Sequence, residues 1–64
     1  MENEVTTLLK NMEEQFQDAS IDAGKFVEGN NSAGTRVRKA MQNIKNLCQD
    51  VRTEVQTQKN GVLA

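Results

Sequence analysis

Histidine, tryptophan, tyrosine and proline are absent from this chain, and cysteine occurs once. With two phenylalanines as the whole aromatic content of 64 residues, there is little from which to build an aromatic-centred core or a catalytic pocket, and an enzyme is not expected. The lack of histidine also argues against a metal site. Glu14, Asp18 and Asp22 form an acidic row at i, i+4 spacing, but a carboxylate site ordinarily adds histidine, so neither a metal nor another cofactor is expected. The row is expected to stand in solvent, or else to meet the basic end of another chain. The lone Cys48 permits no intramolecular disulfide. With Glu2 and Glu4 in place of a basic leader, it points to a reducing, cytoplasmic setting. Apolar runs of the roughly 20 residues that span a bilayer are missing as well, so no membrane partner is expected.

What the chain does have is charge, unevenly placed. The net charge of −1 hides seven acids against Lys10 and Lys25 up to Glu28, and six bases against Asp50 and Glu54 from Gly29 onward. The basic half is expected to meet an anion, or the two halves to attract each other within or between chains.

Hydrophobic spacing predicts an all-α fold. Val5, Leu9, Met12, Phe16, Ala19, Ala23 and Phe26 alternate steps of four and three, which predicts one helical seam from about residue 3 to 27. Val37, Met41, Ile44, Cys48, Val51 and Val55 repeat the pattern, flanked by Ala33, Ala40 and Leu47, and predict a second helix over about 32–58. Between them lies a turn at 28–31, in which Gly29 suits the left-handed residue that closes a helix and Asn31 or Ser32 can cap the next. Residues 59–64 are expected to fray. The two helices must therefore run antiparallel as a single αα-hairpin domain. A hairpin of this size buries little apolar surface, and the second stripe is wider than one partner helix needs, so a homodimer forming a four-helix bundle is expected. Its core and dimer contacts are assigned to Leu9, Met12, Phe16, Val37, Met41, Ile44, Leu47, Cys48 and Val51. Cys48 is read as a small core residue, and Ile21 stands off the main seam.

The segment Gly29-Asn30-Asn31-Ser32-Ala33-Gly34-Thr35-Arg36-Val37-Arg38-Lys39-Ala40 carries the functional signal. It places three cations near a helix N-terminus, whose unpaired N–H groups and partial positive charge favour acids or a bound anion. Phosphate is the ligand that would reconcile them. Lys25, Asn30, Asn31, Ser32, Gly34, Thr35, Arg36, Arg38, Lys39 and Lys45 are the candidate contacts, the arginines for bidentate geometry and the small polar residues for the same backbone. Gly34 would let a nucleic acid approach closely, or would simply relieve crowding at the bend. Arg38, Lys45, Arg52 and Lys59 recur every seven residues, either as a cationic line about one DNA turn long or as a solvated outer face. Phe26 and Val27, the apolar residues nearest the turn, are expected in the core, which would leave no wedge for kinking DNA.

These residues resemble a known family. Gly29-Asn30, Ala33-Gly34 and Arg36-Val37-Arg38-Lys39-Ala40, followed by Ile44, Leu47 and Arg52, look like the helical-hairpin core of the bacterial histone H1-like proteins, whose hallmark is a Gly-Asn turn, an Ala-Gly pair and Arg-x-Arg-Lys-Ala. The chain differs from that pattern at Asn31 and Ser32, where the family often has Lys and Ala. It also differs in its acidic first helix, and no Lys/Ala-rich stretch follows Lys59. The resemblance implies a small nucleoid-associated protein binding duplex DNA without sequence preference, and no small-molecule substrate. The alternative from the residues alone is a helical oligomerisation or adaptor module in which the basic cluster of one copy meets the acidic helix of another.

Overall fold

The computed structural model describes residues 3–63, with side chains through residue 61. Glu2 and Ala64, which enter the leader, charge and tail expectations, lie outside the described residues. Two helices, α1 (Glu4–Val27) and α2 (Asn31–Leu63), pack against each other as a hairpin, and the described residues include no strand.

Local chemistry sets both ends of α1. Asn3 is its cap, with Oδ1 accepting from the Val5 N–H at 2.8 Å while the Asn3 N–H donates to Thr6 Oγ1 at 3.1 Å. Two of the donors that a helix start leaves unpaired are thereby satisfied. At the other end Gly29 takes φ +110°, a conformation that a β-carbon disfavours. The Gly29 N–H then donates to the Phe26 carbonyl at 2.9 Å and the Asn30 N–H to the Lys25 carbonyl at 3.0 Å, a Schellman closure.

The next helix starts one residue earlier than the spacing predicts, and its cap is Asn30 rather than Asn31 or Ser32. Asn30 Oδ1 accepts from the Ala33 N–H at 3.0 Å, three residues on, as an N-cap side chain does. At the far end α2 continues past Gln58 to Leu63, where a frayed tail is expected from the sequence. Gly61 costs about 1 kcal/mol of helix propensity there, but its φ is not positive, so it does not turn the chain away. A paired amide clasp ties this end to α1: Asn3 Nδ2 donates to Gln58 Oε1 at 2.9 Å, and Gln58 Nε2 donates to Asn3 Oδ1 at 2.8 Å.

The packed seam differs from the expected one on α1. Val5, Leu8, Met12, Gln15, Ala19, Asp22 and, as expected, Ala23 are shielded in α1, opposite Ala33, Gly34, Val37, Ala40, Ile44, Leu47, Val51, Glu54 and Gln58 in α2. Ala19, Ala33 and Ile44 are buried. Leu9, Phe16, Phe26, Met41 and Val55 instead keep between 39% and 50% of their surface exposed, and Cys48 is exposed rather than a core residue. Of the residues assigned to core and dimer contacts, Met12, Val37, Ile44, Leu47 and Val51 thus lie on the intrachain seam. Leu9, Phe16, Met41 and Cys48 lie beside it. A three-four spacing accommodates either set on α1, and small Ala19 and Ala33 let α2 settle on one edge of a stripe wider than a single helix covers.

The displaced residues share one side of the molecule. Leu9 and Phe16 each follow a seam residue by one position, as do Met41, Cys48 and Val55. One residue turns a right-handed helix by about 100°, and two helices facing each other in opposite directions carry that turn to the same side. The opposite side holds Glu4, Asn11, Asp18, Arg36, Asn43, Asp50 and Thr57. The backbone measures 53 × 21 × 10 Å, one helix thick in its shortest dimension, so no second layer covers the apolar side.

Candidate nucleic-acid interface

Apart from Lys45, which lies in the middle of α2, the candidate residues collect at the turn end of the hairpin, but not on one face. Lys25 lies in the last turn of α1, where a cation is favoured by the helix dipole. Asn31, Ser32, Thr35, Lys39 and Lys45 are all exposed on α2, while the side-chain oxygen of Asn30 is taken up in capping. Arg36 and Arg38 stand about 200° apart around the helix. Arg36 reaches back to α1, its Nε 3.0 Å from Asp22 Oδ1. Arg38 lies on the other side, in a shallow groove of about 340 Å³ lined also by Phe26, Asn31, Gly34, Thr35 and Val37.

The clash between cations and helix dipole is milder than the sequence suggests. With α2 starting at Asn31, its first turn is Asn31, Ser32, Ala33 and Gly34, holds no acid, and ends before Arg36. The dipole field fades within that turn. What remains is a polar, uncharged helix start ringed by cations at the next turn, an arrangement suited to an anion larger than one side chain.

Gly34 has a structural use. A β-carbon there would sit 2.5 Å from Cδ1 and 2.8 Å from Cε1 of Phe26, so the absent side chain is what gives the ring its place on α2. Together with fully buried Ala33, this accounts for the Ala-Gly pair as a packing requirement of the bend. Phe26 and Val27 are not core residues as expected. The ring lies over Gly34 and is half exposed, and Val27, the last residue of α1, is 82% exposed. Apolar side chains therefore do stand at the tip, and the ground for setting aside DNA kinking falls away.

The acidic row is not all solvent-facing either, since Asp22 pairs with Arg36 of its own chain. Sequence reasoning missed this pair although a signal was present. Asp22 and Arg36 stand at equal separations before and after Gly29, which an antiparallel hairpin brings side by side. Among the described residues no cluster of Cys, Asp and Glu is placed to hold a metal ion, and no helix is long and apolar enough to cross a membrane.

Comparison with known proteins gives one family. The model described as "Histone H1-like protein Hc1" matches residues 6–61, taking in the turn and nearly all of both helices. No curated protein and no solved structure gives a significant match.

Proposed function

Because the chain belongs to the histone H1-like protein family, we propose that it is a small nucleoid-associated protein that binds duplex DNA through phosphate contacts, without sequence preference. The observation that carries the reading is the turn pole, where an acid-free first helical turn of Asn31, Ser32 and Gly34 is surrounded by Lys25, Arg36, Arg38 and Lys39. Backbone donors and the helix start orient phosphate oxygens, and the arginines add planar, charge-assisted hydrogen bonds. Contacts to phosphate carry no sequence information, which is why sequence preference is not expected. The protein acts as a homodimer in which the exposed apolar sides of two hairpins form a four-helix bundle, with Leu9, Phe16, Met41 and Cys48 as its contacts.

The test is fluorescence anisotropy of a labelled random duplex between about 50 and 200 mM salt. Saturable binding whose logarithm falls linearly with the logarithm of salt concentration is expected, with a slope set by the number of phosphates neutralised. No binding at the low end overturns the reading and leaves the oligomerising adaptor. The Arg36–Asp22 pair adds a second expectation. DNA must compete with the Asp22 carboxylate for Arg36, and an exposed pair of this kind is worth up to about 1 kcal/mol. Asp22→Asn is therefore expected to tighten binding by about two- to fivefold in the same titration. Unchanged or weakened affinity would mean that Arg36 does not leave Asp22 for phosphate.

A further inference from the structure

We infer that a second copy of this chain covers the apolar side with α1 lying over the partner's α2, so that both basic turns stand at the same pole and grip one duplex together. The inference rests on the dimeric reading above and specifies its geometry. A two-fold pairing of the apolar sides with aligned helices has two forms. In one, the axis runs along the helices, each α1 faces the partner's α2, and the turns adjoin. In the other, the axis runs across them, like helices face each other, and the turns lie at opposite ends.

Charge chooses between the two. α1 carries five acids against Lys10 and Lys25, whereas α2 carries six bases against Asp50 and Glu54. The line Arg38, Lys45, Arg52 and Lys59 borders the apolar side along α2, since each residue stands four beyond its seven-residue row Gly34, Met41, Cys48 and Val55. Thr6, Glu13, Ser20 and Val27 border it along α1, with the same offset from the rows of Leu9 and Phe16. Like-on-like stacking would set two such cationic lines against each other and two acidic helices against each other. Unlike stacking sets each cationic line against a helix of opposite net charge, and it brings Lys45 opposite Glu13 of the second copy. The intrachain register supports that match: Asn3 meets Gln58, and Asp22 meets Arg36, which puts the α2 region around Lys45 level with the α1 region around Glu13.

The functional consequence is that the partner contributes half of the binding site. Two acid-free helix starts and two sets of turn cations lie side by side at one pole. One dimer then holds one duplex instead of bridging two.

Pulsed dipolar spectroscopy tests the geometry on the full chain, with Cys48→Ala removing the native thiol while keeping that position apolar, its sedimentation mass first matched to that of the native chain, and Glu28→Cys carrying one spin label at each turn. Neighbouring helices in a bundle lie 8–10 Å apart, so adjoining turns are expected to give label distances within about 25 Å. Distances of about 36 Å or more, the length of the 24 residues of α1 at about 1.5 Å each, overturn the shared pole while leaving the dimer in place. Absence of dipolar coupling, with a monomer mass in sedimentation, overturns the dimer itself. Anisotropy with the same protein reports DNA binding separately, so the two failures are distinguishable. Charge reversal supplies an independent reading. Lys45→Glu is expected to weaken dimerisation by about tenfold in sedimentation, and Glu13→Lys in the same chain to restore it. Failure of that rescue overturns the proposed pairing.

Discussion

Replacing Arg36, Arg38 and Lys39 together with alanine is expected to lower affinity for duplex DNA by about a hundredfold, at roughly 1 kcal/mol for each lost charge-assisted contact. The logarithmic salt slope is expected to flatten by about 2 to 3, since each phosphate no longer neutralised removes about 0.9. Far-ultraviolet circular dichroism is expected to stay unchanged. All three side chains are exposed, and the one that contacts α1, Arg36, makes a surface pair with Asp22 that contributes little to the fold. The two arginines lie on different sides of α2, so removing one leaves the other in position. The loss is accordingly expected to build stepwise across single variants. Retained affinity and slope in the triple variant would show that DNA, if bound at all, lies elsewhere on the molecule.

The largest structural effect is expected from Ile44→Asp. Ile44 keeps 6% of its surface exposed, and it is the only large side chain among the three buried apolar residues of the described chain, the other two being Ala19 and Ala33. A carboxylate there would lack both water and a cation, which costs on the order of 3 to 5 kcal/mol and leaves a cavity besides. A single-layer hairpin has little stability in reserve. Loss of most helical signal at 25 °C is the expected outcome, with loss of the proposed dimer in sedimentation. A variant that remains fully helical would show that the seam at Ile44 is not where this protein keeps its stability. Leu47→Asp is expected to act in the same direction but less severely, because Leu47 is only half buried.

Much of this molecule could be read from local chemistry. The helices follow from three-four spacing, the turn from Gly29, and the family from the residues between Gly29 and Ala40, whose model match extends from residue 6 to 61. Features that depend on through-space geometry were harder. Leu8 and Leu9 both satisfy the period, and nothing in a linear pattern says which edge of a broad stripe the neighbouring helix will use. The placement of Phe26 turned on Gly34, a residue whose contribution is the space that it leaves. Arg36 and Arg38 read as one cluster in the sequence, yet a separation of two residues puts them on opposite flanks of a helix.

The sequence by itself determined the two helices, their antiparallel run, the excess of base in the second and of acid in the first, because those follow from periodicity, one left-handed glycine and composition. The tertiary structure decided which apolar residues the hairpin hides and which it leaves on one open side, that Asp22 takes Arg36, and that Asn30 is the cap of α2. The physical reason is that a period of 3.5 residues fixes how wide an apolar stripe is, while packing of small residues against each other fixes where on that stripe a second helix comes to rest.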